Sequence, residues 1–147
     1  LGLNRAFKDD DLKHIMPGAG SLQGLHVSST GVTDLGMKAI GQMRTLRWLY
    51  VSNLPITNEG VRHLVGLKKL ELLNLGTTKV GDEGLAELKV LEAINHLNLE
   101  ATAVTDASVK VLIGFKKLKF LGLEHTAISE DGVRLLNQAL PACKVVR

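Results

Sequence analysis

One apolar slot recurs at Leu22, Leu46, Leu70, Ile94 and Leu118, so five units of 24 residues follow one another without an insertion. An exact period of this length is the mark of supersecondary units stacked side by side, because ordinary globular topologies vary their loops. Seven slots are apolar in each unit: 1, 4, 6, 11, 16, 19 and 22. Slot 4 reads Leu25, Leu49, Leu73, Leu97, Leu121, and slot 6 reads Val27, Val51, Leu75, Leu99, Leu123.

The spacing inside a unit changes along its length. Slots 4 and 6 alternate, as on one face of a strand, whereas slots 16, 19 and 22 step by three, as on one face of a helix. Each unit therefore predicts a short strand, a turn, a helix and a return. Slot 12 supplies helix N-caps in Thr33, Thr57, Gly81, Thr105 and Ser129. Acids follow in slots 13 and 14 (Asp34, Glu59, Asp82, Glu83, Asp106, Glu130, Asp131), where they complement the positive end of the helix dipole. Slot 15 is small (Gly36, Gly60, Gly84, Ser108, Gly132) and lets each helix lie close to its neighbour. Gly66 and Gly114 fit helix C-termini. A lone unit buries too little to offset the entropy lost on ordering it, so neighbours are required. Parallel strands about 4.8 Å apart then make one sheet, and the wider helices force the stack to curve with the strands on its hollow side.

The stretches LELLNLGTT (70–78), INHLNLEAT (94–102) and LKFLGLEHT (118–126) resemble the leucine-rich repeat, whose core reads LxxLxLxxN/C, with Thr in the Asn/Cys slot. The continuation VTDLGM (32–37) is similar to the cysteine-containing subclass and to bacterial arrays that carry Thr there. The resemblance covers nearly the whole chain. It implies an α/β fold: a right-handed leucine-rich-repeat solenoid with a parallel β-sheet on the concave face and α-helices on the convex face.

The chain reads as a single domain, 1–147, with a shortened first unit over 1–21 and a terminal strand over 142–147. Leu1 and Leu3 take slots 4 and 6 of the first unit, Phe7, Leu12 and Ile15 supply later core positions, and MPGAGS (16–21) breaks its helix. The closing ALPACKVVR starts a last strand through Val145, for about seven strands in all. Leu54-Pro55 stands where a slot-9 Thr is expected. It interrupts the ladder Thr30, Thr78, Thr102, Thr126 and leaves the loop path there open.

If slots 4 and 6 point inward, slots 3, 5 and 7 face solvent on the concave side. Slot 3 reads Gly24, Trp48, Leu72, His96, Phe120; slot 5 reads His26, Tyr50, Asn74, Asn98, Gly122; slot 7 reads Ser28, Ser52, Gly76, Glu100, Glu124. The chain has one Trp, one Tyr and three Phe, and Trp48, Tyr50 and Phe120 all fall in these slots. A contiguous strip of exposed large apolar groups marks a contact surface, and Trp and Tyr are typical anchors. Alternatively the strip stiffens the sheet by cross-strand packing or is covered by flanking chain. Glu100 and Glu124 share a slot on adjacent strands and suit a basic partner residue, or a cation with His96 or His125 nearby.

Several classes are disfavoured. No apolar run approaches the length of a membrane helix, and LGLNRAFKDDD turns acidic too early for a signal peptide. The single cysteine, Cys143, rules out an internal disulfide and reads as a packed end residue. Together these favour the cytoplasm, although Leu1 in place of Met is consistent with an excised piece. Arg44, Arg47, Lys68, Lys69, Lys116, Lys117, Lys119 and Lys144 cluster where helices return to strands, as the helix dipole favours, and the aromatics lie apart from them. That separation argues against nucleic acid, which wants stacking rings within a basic stripe. No Ser-His-Asp order, P-loop or dinucleotide-binding glycine motif is present.

The expected function is a non-enzymatic protein–protein interaction module without metal or cofactor. Its contacts are Trp48, Tyr50, Leu72, His96 and Phe120, with Glu100 and Glu124 setting charge preference. One alternative is a structural spacer or self-association unit of a larger protein, joined weakly through its end strands. Another is a cation- or glycan-binding site around Glu100 and Glu124.

Overall fold

The structure is a computed structural model that describes residues 5–147. Among the described residues six strands of three residues each form one sheet: β1 Gly24–His26, β2 Trp48–Tyr50, β3 Leu72–Asn74, β4 His96–Asn98, β5 Phe120–Gly122 and β6 Lys144–Val146. They pair in sequence order and all in parallel, with Leu25 opposite Leu49, Leu49 opposite Leu73, Leu73 opposite Leu97, Leu97 opposite Leu121 and Leu121 opposite Val145. Leu1 and Leu3, expected in a further strand, lie outside the described residues.

Short helices alternate with the strands: α1 Leu12–Ile15, α2 Asp34–Ile40, α3 Asn58–Arg62, α4 Asp82–Glu87, α5 Val109–Gly114 and α6 Glu130–Ala139. Several are extended or preceded by a 3-10 turn, as at His63–Gly66, Leu88–Val90 and Asp106–Ser108. The helices line the convex side of a right-handed solenoid and the sheet its concave side, the narrower strands lying on the inside of the curve. Slots 4, 6, 11 and 19 are buried in every full unit, forming one aliphatic column between the two layers. Leu12 is buried in this core, and Phe7 and Ile15, partly buried, pack against the core.

Backbone pairing continues past each strand. The N–H of Val51 donates to Asn74 O and that of Asn53 to Gly76 O, and the same pair of bonds recurs in the neighbouring units. Slot 8 then turns left-handed in all five units: Ser29 (φ 57°), Asn53 (54°), Thr77 (56°), Ala101 (50°) and His125 (57°). None is glycine, so each carries the Cβ penalty of that region, and the β-branched Thr77 carries most. Leu54 does not alter this path. It is buried in the place of a slot-9 Thr and Asn53 keeps the common φ. The threonines form no ladder from unit to unit. Each hydroxyl donates to the carbonyl three residues back, as Thr78 does to Leu75 O and Thr102 to Leu99 O, both at 2.6 Å.

The slot-12 caps behave as expected, with Thr33, Thr57, Thr105 and Ser129 each accepting from a first-turn N–H. Slot 13 does more than complement the dipole. Asp34 accepts the N–H of Thr57 at 2.9 Å and its hydroxyl at 2.6 Å, so a carboxylate at one helix start holds the cap of the next. Asp82 does the same for Thr105, Asp106 takes the N–H of Ser129, and Asn58 takes that of Gly81. Asp9 serves Thr33 in this way from 24 residues back, one more than the 23 of the later pairs. This ladder explains slot 15. A Cβ on Gly60 would stand 2.2 Å from Asp34 Oδ1, and on Gly132 2.5 Å from Asp106 Oδ1. Ser108, the exception, sits in a 3-10 turn and its hydroxyl donates to Asp82 Oδ1.

Gly66 and Gly114 end helices, as expected, and do so without a left-handed φ, since no glycine among the described residues has positive φ. A Cβ on Gly66 would meet the Arg44 guanidinium, the far end of a flexible side chain. MPGAGS does not break the first helix outright; Met16–Ser21 continues it as a 3-10 turn, with Pro17 at a helix start where its missing N–H costs nothing.

Candidate functional site: the concave sheet face

The sheet alternates as the spacing predicts. The middle residue of every strand from β1 to β5 is buried, and slots 3 and 5 on either side are partly or fully exposed on β2, β3 and β4. Trp48 is 43% exposed, an unusual amount for the only indole in the chain.

The expected contact residues divide into three groups. Tyr50, Leu72, His96 and Phe120 line one open hollow of about 270 Å³, floored by Leu73 and Leu97. The His96 and Phe120 rings stack across β4 and β5, 6.2 Å apart and inclined by 17°. Trp48 does not reach the hollow. Its ring lies over Gly24, where a Cβ would stand 3.1 Å from Trp48 Cε3, and so it leans toward β1. Tyr50 also leans that way enough to meet His26, with ring centroids 5.3 Å apart. Glu100 and Glu124 form the third group, at the C-terminal rim of β4 and β5 beyond the hollow. Both are half-buried, and neither carboxylate has a hydrogen-bond or ion-pair partner among the described residues.

Asn74 and Asn98 complete the hollow and were not anticipated as contacts. Each side-chain oxygen accepts the N–H two residues on, Gly76 and Glu100 respectively, both at 2.9 Å. That fixes the amide plane and leaves each NH2 group without a hydrogen-bond partner among the described residues. The signal lay in their shared slot on adjacent strands, but a polar amide there reads equally as a solvated strand residue. Gly122 continues the row as a gap, since a Cβ there would stand 2.6 Å from Asn98 Oδ1.

The N-terminal rim is basic. Arg47 pairs with Glu71, whereas Lys119, just before β5, and Lys144, opposite Phe120 on β6, have no side-chain partner among the described residues. Lys116 and Lys117 lie farther back, with Lys89, Glu92 and Phe115, around a separate hollow of about 340 Å³. No three His, Cys, Asp or Glu side chains come together as a metal site among the described residues. Cys143 is a buried free thiol, and burial pushes its pKa up, which makes it a poor nucleophile. No helix among the described residues is long and apolar enough to cross a membrane.

A parallel sheet whose inner rows repeat and whose outer rows vary defines a solenoid scaffold with a side-chain-bearing face. Comparison with known proteins places it more closely. The family model described as Leucine Rich repeat matches residues 21–41 and 66–89. An internalin from Listeria monocytogenes superposes with a TM-score of 0.75 at 25% identity, over 89% of this chain and 36% of that one. A Leptospira interrogans leucine-rich-repeat protein gives 0.67 at 20% identity, over 97% of this chain and 40% of that one. The tropomodulin C-terminal domain of Caenorhabditis elegans gives 0.67 at 14% identity, over 91% of this chain and 92% of that one. No curated protein sequence matches. Residues 21–41 and 66–89 are thus matched as leucine-rich repeats, the chain shares the solenoid fold of these structures, and it spans well under half the length of the two bacterial ones. Domains of this kind are in general protein-interaction scaffolds and are typically non-catalytic.

Proposed function

We propose that the chain is a non-enzymatic protein-interaction module that takes its partner on the concave sheet face. The observation that carries this reading is the hollow between Tyr50, Leu72, His96 and Phe120, where a chain poor in aromatics spends its rings on solvent-facing positions. Trp48 extends the same apolar strip toward β1. Large apolar groups ordered in a concave surface suit an anchor side chain from a partner, and such pockets concentrate binding energy. Glu100 and Glu124 set the charge preference. The reading calls for no cofactor, metal, nucleic acid or membrane.

The test is capture of a partner from native lysate by the chain and by a Trp48→Ala/Phe120→Ala double variant. Truncation of an anchor ring is expected to cost more than about 1 kcal/mol of binding each, with the melting temperature nearly unchanged. A particle mass that climbs with concentration and ignores the double variant would instead favour self-association through the end strands. Binding of divalent cations or glycans that Glu124→Gln abolishes would favour the third reading.

A further inference from the structure

The hollow lies between two rims of opposite charge, and that polarity has a chemical consequence for what fills it. At the C-terminal ends of β4 and β5 stand Glu100 and Glu124, and at the N-terminal side of β5 and β6 stand Lys119 and Lys144. None of the four has a side-chain partner among the described residues. At the same N-terminal rim Arg47 is taken up by Glu71. The charges left unpaired at the two rims of the hollow are thus sorted by sign, acids at the C-terminal ends and lysines at the N-terminal side.

We propose that the face recognises an extended segment of a partner protein in which an acidic, an apolar and a basic side chain alternate, acid-x-apolar-x-base, in either chain direction. This rests on the reading of the concave face as a protein-binding surface. Slots 3 and 7 are separated by about 13 Å at about 3.3 Å per strand residue. An extended segment lying along the strands presents residues i−2, i and i+2 on one side, a span of the same length. With its apolar residue in the hollow, between the slot-3 row of Leu72, His96 and Phe120 and the slot-5 row of Tyr50, Asn74 and Asn98, its base falls toward Glu100 and Glu124. Its acid falls at Lys119 and Lys144. The unpartnered NH2 groups of Asn74 and Asn98, in the lining of the hollow, are donors for the segment's main-chain carbonyls. A wholly acidic or wholly basic segment would set like charges against one rim, and that repulsion provides selectivity.

Synthetic capped ten-residue peptides centred on Glu-Ala-Leu-Ala-Lys, Glu-Ala-Leu-Ala-Glu, Lys-Ala-Leu-Ala-Lys and Glu-Ala-Gly-Ala-Lys test this by NMR titration of the full chain. The first peptide is expected to shift the amides of β3 to β5 and to bind at least about tenfold more tightly than the other three. Glu100→Lys/Glu124→Lys should transfer the preference to the wholly acidic peptide, and Lys119→Glu/Lys144→Glu to the wholly basic one. Equal binding of the three leucine peptides, preferences indifferent to these reversals, or no shift at β3 to β5 with any peptide overturns the proposal. Its failure is distinguishable from failure of the underlying reading. If only the polarity is wrong, lysate capture still falls with Trp48→Ala/Phe120→Ala while the rim reversals leave it unchanged. If the face binds no protein, neither set of variants alters capture. Displacement by a glycan and by none of the peptides would assign the hollow to carbohydrate.

Discussion

Leu72 and Leu73 are neighbours on β3, yet they answer to different constraints. Leu73 sits in a row that reads Leu25, Leu49, Leu73, Leu97, Leu121, buried throughout. Leu72 sits in a row that reads Gly24, Trp48, Leu72, His96, Phe120, and it is half-buried in the wall of the hollow. The inner row is uniform because each side chain must fill the same volume between the same two neighbours, and close packing penalises any change of size. The outer row has no such neighbour above it. Its variety is therefore not constrained by core packing, and it supplies the contact surface proposed above.

The largest expected effect sharpens this contrast. Leu73→Ala should lower unfolding free energy by about 2–5 kcal/mol in chemical denaturation, as cavity formation in an aliphatic core does. Leu72→Ala, one residue away, should cost no more than about 1 kcal/mol. Comparable losses at both positions would mean that the outer row is a second core.

Gly60→Ala comes next. In an exposed helix the change gains about 1 kcal/mol. Here the new Cβ would displace Asp34 from Thr57, so a net loss of about 1–3 kcal/mol is expected in the same assay. A stabilised variant would show that the carboxylate ladder does not couple the units.

The ladder also predicts an acid response. Burial pushes the Asp82 carboxyl up, but hydrogen bonds from Ser108 and Thr105 outweigh it and hold the pKa below its ordinary 3.8. Asp106 is held low by the N–H and hydroxyl of Ser129, against slight desolvation and with help from Arg147. A carboxylate depressed in the folded state stabilises it above its unfolded pKa, and that contribution is lost as pH falls through the folded value. Melting temperature should therefore be steady at neutral pH and decline below the ordinary carboxylate pKa. Asp82→Asn should lower stability by about 1 kcal/mol near neutral pH and make the acid decline shallower. An equally steep decline in that variant would remove Asp82 from the account.

Thr77→Asn carries the smallest expected effect. Asn tolerates the left-handed region better than a β-branched residue, and a gain of up to about 1 kcal/mol should appear as a higher denaturation midpoint. The same change at Ser52, outside the turn position, should give nothing comparable.

Much of this was legible in the sequence because a stack translates period directly into register. Leu25, Leu49, Leu73, Leu97 and Leu121 were recognisable as one column from their spacing alone, and so were the outward rows. What stayed hidden involves partners a full turn away. The slot-13 acids looked like ordinary first-turn residues, since a bond from Asp34 to Thr57 joins groups 23 residues apart. The left-handed turn was hidden by its own residues: Ser29, Thr77, Ala101 and His125 carry no glycine signal, and the surrounding ladder imposes φ on them. At the site, the spacing placed Trp48 and Tyr50 on one strand but could not show that Trp48 covers Gly24 while Tyr50 opens into the hollow.

Trp48 is the sole tryptophan, so its fluorescence reports one position on the face at the centre of this account. In the free chain its emission should resemble that of a partly solvated indole and be quenched readily by acrylamide, and addition of the captured partner should shift it to the blue and suppress quenching. A free chain whose indole is already blue-shifted and shielded, or a bound chain whose indole is quenched as before, contradicts a concave face held open for a protein partner.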